Sequence, residues 1–133
     1  MIKPHAIRLH PGDDLKKSLE SYIRENGIAS AAILTCVGSL QYATLRMANI
    51  KTSQRLDEKF EILSLVGTLS EQGCHLHISL SDKNGSVTGG HLQEGCAVFT
   101  TAELVIVELT DLVFSRAKDP NTGFNELVIK RRC

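Results

Sequence analysis

Three of the chain's five histidines lie in one short stretch, CHLHISLSDKNGSVTGGHL, which runs from Cys74 to Leu92. His75 and His77 are separated by a single residue, and His91 follows a turn signal. Imidazole nitrogen is a common ligand of zinc, and it also suits iron, copper and nickel. Three imidazoles at one point, with room for water or a substrate, would form an open metal site. The chemistry therefore depends on whether the fold brings these side chains together.

The residues around the first two histidines alternate between polar and apolar, which is the period of a β-strand. Leu76, Ile78 and Leu80 would form one apolar face of this strand. Because successive side chains point to opposite faces of a strand, His75 and His77 would point together to the other face.

The turn that follows this strand decides where the third imidazole points. If Asn84 and Gly85 were the centre of a type I′ turn, His91 would face the apolar side. A type I turn that starts at Asp82, with Gly85 in the left-handed conformation, instead gives a bulged three-residue loop. Asp and Gly are preferred at those two positions, so we favour this register, in which His77 lies opposite His91.

The favoured register also predicts the neighbours of the histidines. Gln93 would lie opposite His75, and Ser79 opposite Gly89, which leaves open space beside the cluster. Directly opposed side chains have Cβ atoms about 4.5–5.5 Å apart, so three imidazoles would converge. Spacing alone leaves an alternative open, in which these histidines face solvent or another subunit and bind no metal.

One helix is predicted over LKKSLESYIREN, because Leu15, Leu19 and Ile23 recur at four-residue steps on one face. Asp13 is the expected N-cap, and Gly27 is the expected stop. An amphipathic helix of this kind is typical of one that covers a sheet.

The rest of the chain is rich in strand patterns separated by turn residues. Seven strands are predicted: Ala31 to Val37, Tyr42 to Asn49, Glu61 to Thr68, Cys74 to Ser81, Val87 to Leu92, Leu104 to Leu109 and Glu126 to Lys130. Strands at short spacing without long intervening helices indicate a mainly antiparallel sheet. We therefore predict an α+β fold, with about seven strands, one N-terminal helix packed on the sheet, and a single domain over residues 1–133.

Composition argues against several classes of function. The net charge is zero, whereas a nucleic-acid-binding domain usually carries a basic excess, so a nucleic-acid partner is not expected. No apolar run is long enough to cross a membrane and no signal peptide is visible, so we expect a cytoplasmic protein without a membrane partner. The four cysteines lack CxxC spacing and are interpreted as small buried residues or, at Cys133, as part of a tail.

Several longer segments carry a resemblance to a known family. They are HLHISLSDKNGSVTGGHLQEGCAVFTTAELVIVEL from His75, FEILSLVGTLS from Phe60, SAAILTCVGSLQYATLR from Ser30, and the closing DPNTGFNELVI. Together they resemble the plants-and-prokaryotes-conserved (PPC) domain family over nearly the whole chain. The GGHLxEGC and FEILSLxGT runs, present in that order, are the most specific part of the resemblance.

The resemblance implies an α+β fold, similar in architecture to acetolactate decarboxylase, that assembles as a homotrimer. The chain resembles the prokaryotic type, which implies zinc as the cofactor and His75, His77 and His91 as its ligands. Plant members lack these histidines and contact DNA through AT-hook segments, and no arginine-glycine-arginine hook occurs here.

Three functions remain open at this point. The first is a trimeric zinc-binding domain with a small-molecule-binding or regulatory role, and the second is a zinc-dependent lyase or hydrolase. An enzyme would need a general acid or base near the metal, for which Glu61, Glu94 and Glu103 are candidates, with Arg46 as a clamp for an anion. The third, a DNA-binding regulatory protein, is the least favoured because of the neutral charge.

Overall fold

The computed structural model describes residues 1–133, which form one helix and ten strands. The elements are β1 (Ile2–Leu9), α1 (Leu15–Glu25), β2 (Ala31–Leu40), β3 (Ala43–Arg46), β4 (Ser53–Leu56), β5 (Phe60–Ser70), β6 (Gly73–Ser81), β7 (Val87–Leu92), β8 (Val98–Leu109), β9 (Leu112–Lys118) and β10 (Asn125–Arg131). Eight strands form one antiparallel sheet in the order β1-β8-β2-β5-β6-β7-β3-β4, and β9 pairs with β10 as a separate hairpin. This confirms the predicted fold class.

The chain has ten strands rather than the seven predicted, because β1, β4 and β9 have weak strand patterns. β1 contains Pro4, but it pairs only with β8 at the edge of the sheet, where a strand can contain proline. β4 is short and mostly polar at the opposite edge. β9 follows β8 after only Thr110 and Asp111, so the sequence does not show a clear boundary between the two strands.

The helix covers one face of the sheet, as predicted. Leu15, Leu19 and Ile23 are buried in a core that includes side chains from seven of the eight strands of the large sheet. The N-cap is Asp14, so the prediction of Asp13 was wrong. The Asp14 Oδ2 atom accepts the backbone N–H of Lys17 at 3.0 Å.

A tertiary contact explains the choice of Asp14. Its Oδ1 atom also accepts the backbone N–H groups of Gly95 and Cys96, at 2.7 and 3.1 Å, which ties the helix to the segment between β7 and β8. At the other end, Gly27 follows the helix with φ of 59°, the left-handed conformation expected of the predicted stop. No helix in the protein is long and apolar enough to span a membrane.

The hairpin of β9 and β10 is attached to the large sheet by a few contacts. The Ser30 hydroxyl donates to the backbone oxygens of Leu109 and Leu112, and the Phe114 N–H donates to Ala29 O at 3.0 Å. This attachment positions the hairpin beside strands β5 and β6.

Candidate metal centre

Strand β6 has two different faces. Leu76, Ile78 and Leu80 are no more than 3% exposed and belong to the core, whereas His75 and His77 are exposed. The alternation predicted from the sequence is therefore present, and the first two imidazoles share the face of the sheet that α1 does not cover.

The turn after β6 has the predicted geometry. Asp82 O accepts the N–H of Gly85 at 3.0 Å, and Gly85 has φ of 81°. The Asp82 carboxylate accepts two further N–H groups within the loop, which fixes its conformation. In the resulting register His77 is paired with His91 on β7, as predicted.

Two further predictions of the register have different outcomes. Ser79 lies opposite Gly89 as expected. A Cβ atom at Gly89 would lie 2.5 Å from the carbonyl oxygen of Ile78 on β6, so only glycine permits this close approach of the two strands. The prediction that Gln93 lies opposite His75 was wrong. The ladder of β6 and β7 ends before Gln93, whose N–H donates instead to Thr44 O on β3 at 3.2 Å.

The three imidazoles form one compact cluster. The ring centroids of His77 and His91 are 4.5 Å apart, those of His75 and His77 5.0 Å, and those of His75 and His91 5.8 Å. Nε2 of His77 lies 3.1 Å from Nδ1 of His91. One nitrogen from each ring lies within 4.8 Å of the other two, so the predicted convergence is confirmed.

The surroundings favour the neutral form of two of the three imidazoles, those of His75 and His91. Partial burial, followed by the charges of His77, Arg116 and Arg46, lowers the pKa of His75 below its usual value of 6.5, while Glu126 acts in the opposite direction. Partial burial and Arg46 also lower the pKa of His91. A neutral ring has a free nitrogen lone pair at neutral pH, which is the state that binds metal.

Two of the three histidines, His75 and His91, line a cleft with a volume of about 640 Å³. The cleft is lined mainly by polar and charged residues: Arg46, Asn49, Gly73, Cys74, His75, His91, Arg116, Phe124, Asn125 and Glu126. His77 borders a smaller opening beside Val66, which His75 also lines. His75 therefore lines both openings, and the larger one offers space for a small molecule.

Comparison with known proteins identifies the family. Residues 1–110 match the Plants and Prokaryotes Conserved (PCC) domain. The chain belongs to the PCC domain family. This is the family that its sequence motifs resemble, and the hairpin of β9 and β10 lies beyond the matched residues of the PCC domain.

Two solved structures share the fold of this chain over 95% or more of its length. A hypothetical protein from Salmonella enterica is 41% identical, with a TM-score of 0.98 over 100% of this chain and 96% of its own. A metal-containing protein from Archaeoglobus fulgidus is 32% identical, with a TM-score of 0.83 over 95% of this chain and 93% of its own.

A curated relative is a much longer protein. The bifunctional protein GlmU from a Synechococcus strain is 42% identical to this chain over 130 residues, which are 98% of this chain but 21% of that protein. The chain therefore spans about one fifth of the length of this relative.

The donor set of the PCC domain fits a divalent metal ion. Two nitrogens that are each about 2.0–2.1 Å from one zinc ion are at most about 4.2 Å apart. The 3.1 Å separation of the His77 and His91 nitrogens satisfies this limit, and the other separations, which are within 4.8 Å, exceed it by at most about 0.6 Å. Neutral imidazoles are also the appropriate chemistry for zinc.

The structure separates the residues proposed for acid–base or anion-binding roles. Arg46 is paired with His91 in the register of β3 and β7 and lines the large cleft. Glu61 lines a different cleft, Glu103 is exposed on β8, and Glu94 lies 3.8 Å from Lys17 in an exposed ion pair. None of these three carboxylates lines the cleft beside the histidines.

Sequence reasoning missed two charged residues of the cleft, Arg116 and Glu126, as site residues. Both lie on the hairpin, with Arg116 on β9 and Glu126 on β10. Glu126 begins a predicted strand, but no local pattern connects it with His75. Packing of the hairpin against the large sheet, which is distant in sequence, brings Glu126 into the cleft beside His75.

Proposed function

We propose that this PCC domain binds one zinc ion per subunit through His75, His77 and His91 and uses it to bind a small molecule in the adjoining cleft. The observation that carries this proposal is the convergence of three imidazole nitrogens within 4.8 Å at the wall of a cleft of about 640 Å³. Three protein ligands leave at least one coordination position open. A bound zinc ion would supply a Lewis acid that polarises an oxygen ligand.

Metal analysis of the protein purified without a histidine tag tests the identity of the ion. Imidazole also suits iron, copper and nickel, so purified protein should be exposed to equal concentrations of these ions and zinc. We expect zinc to be retained at about one ion per chain. Preferential retention of another ion would contradict the choice of zinc but not the site.

A lyase or hydrolase is a second candidate function, and the position of Glu126 favours it. Its carboxylate is in the same cleft as His75 and influences the pKa of that ring. An enzyme of either kind needs a group within reach of the substrate that can accept or donate a proton. If a substrate is found, Glu126→Gln should remove turnover and retain zinc, whereas full turnover by this variant would exclude the role.

We also propose that the domain assembles as a homotrimer. The neighbouring strands β2 and β5 expose large apolar side chains, at Leu34, Val37, Leu63 and Val66, each more than half exposed. Val66 lies directly opposite His77 in the pairing of β5 and β6, so this apolar surface adjoins the histidine cluster. An apolar surface of this kind is typical of a partner site, and another copy is its simplest partner. Symmetry alone would favour a dimer, so the choice of three copies rests on the resemblance to the family.

Light scattering coupled to chromatography tests the assembly. We expect a mass of about three times the 14.6 kDa chain mass at micromolar concentration. Val66→Glu places a charge on the exposed apolar surface and should dissociate the assembly, whereas Val87→Glu, at an exposed position on β7, is the control. A stable monomer of the wild-type chain would contradict the proposal.

Nucleic acid is not part of the proposed function, because the net charge of the chain is zero. We expect only weak and salt-sensitive association with DNA. A nanomolar complex at physiological salt, weakened by neutralising a group of lysines and arginines, would contradict this expectation.

A further inference from the structure

Two arginines border the large cleft without a carboxylate partner. Arg46 donates from Nη1 to Ile50 O at 3.3 Å, and Arg116 donates from Nη2 to Thr68 Oγ1 at 3.2 Å. Neither forms an ion pair, in contrast to the exposed Arg55, whose Nε lies 2.6 Å from Asp57. Since a guanidinium has five N–H donors, each of these two retains donors for a ligand.

Both arginines are linked to strands that pair with the histidine strands: Arg46 lies on β3, beside β7, and Arg116 binds Thr68 on β5, beside β6. Arg46 is paired with His91, and Thr68, which accepts the hydrogen bond from Arg116, is paired with His75. The two positive charges are therefore fixed relative to the cluster by the large sheet and by the hairpin.

The charge of the cleft favours an anionic ligand. Two arginines and one carboxylate, Glu126, line it, so its fixed charge is positive before a divalent ion is added. A planar guanidinium recognises a carboxylate through two parallel hydrogen bonds. The side chains of Phe124 and Cys74 add an apolar wall that suits the carbon skeleton of an organic acid.

We propose that the cleft binds a small organic acid that carries a second oxygen group, as in a 2-hydroxy acid. Its carboxylate pairs with Arg46 and Arg116, and its second oxygen occupies an open position at the metal. This inference depends on the proposed function, because the second oxygen needs the metal as its partner. Arg116 and Phe124 lie within residues 112–131, so the C-terminal hairpin contributes one of the two arginines and part of the apolar wall.

Calorimetric titration of zinc-loaded protein with glycolate, malate and inorganic phosphate tests the inference. We expect glycolate or malate to bind the wild type, and Arg116→Ala and Arg46→Ala each to weaken binding about tenfold or more while zinc content stays unchanged. Arg116→Lys keeps the charge without the paired hydrogen bonds and should have intermediate affinity. Arg132→Ala, at an exposed position outside the cleft, is the matched control and should bind as the wild type does.

Several results would overturn the inference. Unchanged affinity in both arginine variants would do so, as would tight binding of phosphate without either acid. Zinc loading measured in parallel distinguishes the two proposals: zinc binding without acid binding overturns this inference alone, whereas failure of the wild type to bind zinc overturns the proposed function and this inference with it. Thermal unfolding of each variant checks that a lost signal comes from the cleft rather than from the fold.

Discussion

The two faces of strand β6 differ in what they contribute to the molecule. On the inner face Leu76, Ile78 and Leu80 are buried in the core. On the outer face His75 and His77 are exposed, and His75 lines the large cleft. Both faces depend on the same backbone ladder, because a shift of one residue would exchange them. A side chain on one face, however, should be replaceable without disturbing the structure or the chemistry of the other face. This separation of fold from chemistry can be tested by substitution.

A change that disturbs the ladder should have the largest effect, because it disrupts both faces at once. A Cβ atom at Gly67 on β5 would lie 2.0 Å from His75 O, and Gly67 has φ of 153°. We expect Gly67→Ala to reduce the free energy of unfolding by more than about 4 kcal/mol, as measured by urea unfolding.

Gly12→Ala is the control for this variant. Gly12 also has a positive φ, of 90°, but a Cβ atom there would contact nothing within 4 Å. Gly12→Ala should reduce the free energy of unfolding by only about 1–2 kcal/mol, because the positive φ is unfavourable for alanine. Similar costs for the two variants would show that the contact of β5 with β6 is not the critical feature.

Substitutions confined to one face should come next in size. Leu80 is fully buried, so Leu80→Ala should cost about 2–5 kcal/mol through lost burial and the cavity left behind. His77→Ala removes an exposed ring, and in metal-free protein it should change the free energy of unfolding by no more than about 0.5 kcal/mol. Urea unfolding with excess chelator measures both, and equal losses would contradict the separation of the two faces.

The histidines of the outer face should have a smaller effect, on the pH dependence of the stability of the metal-free protein. The pKa values of His75 and His91 are lowered in the folded chain, mainly by partial burial, so the unfolded chain binds more protons just below pH 6.5. The stability of the metal-free protein should therefore decrease as the pH falls through 6.5 towards the lowered pKa values.

Replacing both rings provides the control for this effect. In a variant with His75→Gln and His91→Gln, the decrease in stability between about pH 7.5 and about pH 5.5 should be smaller than in the wild type. The same decrease in both proteins would show that other groups are responsible.

Alkylation of the cysteines should have the smallest effect on stability. It tests the burial of the core without a change in the fold or the metal site. Burial raises the pKa of Cys36 to about 12 and those of Cys74 and Cys96 to about 11, whereas Cys133 is exposed. At about pH 8 we expect Cys133 to be alkylated first, and the other three thiols to react at least about 100-fold more slowly. Mass spectrometry of the labelled peptides measures this, and rapid labelling of Cys96 would contradict the burial of the core.

The part of the site formed by local sequence was predictable. The alternation in HLHISL and the preferences of Asp82 and Gly85 fix the strand and the turn, and these determine that His77 lies opposite His91. Such signals are local, because each residue acts on the backbone within a few positions of itself.

The parts that depend on distant contacts were not predictable in the same way. Asp14 rather than Asp13 caps the helix because its carboxylate also binds N–H groups near Cys96. Gln93 leaves the ladder because its N–H binds β3. Arg116 reaches the cleft only because the hairpin packs beside β5, where its guanidinium binds Thr68.

The most direct test of the central claim is the zinc content of tag-free protein after mild exposure to zinc and removal of the excess. We predict about one zinc ion per chain in the wild type and in His10→Ala, an exposed histidine outside the cluster. His77→Ala should retain less than about a tenth of that amount while remaining folded. A wild-type chain without stoichiometric zinc, or a His77→Ala variant with the full amount, would contradict a zinc site formed by His75, His77 and His91.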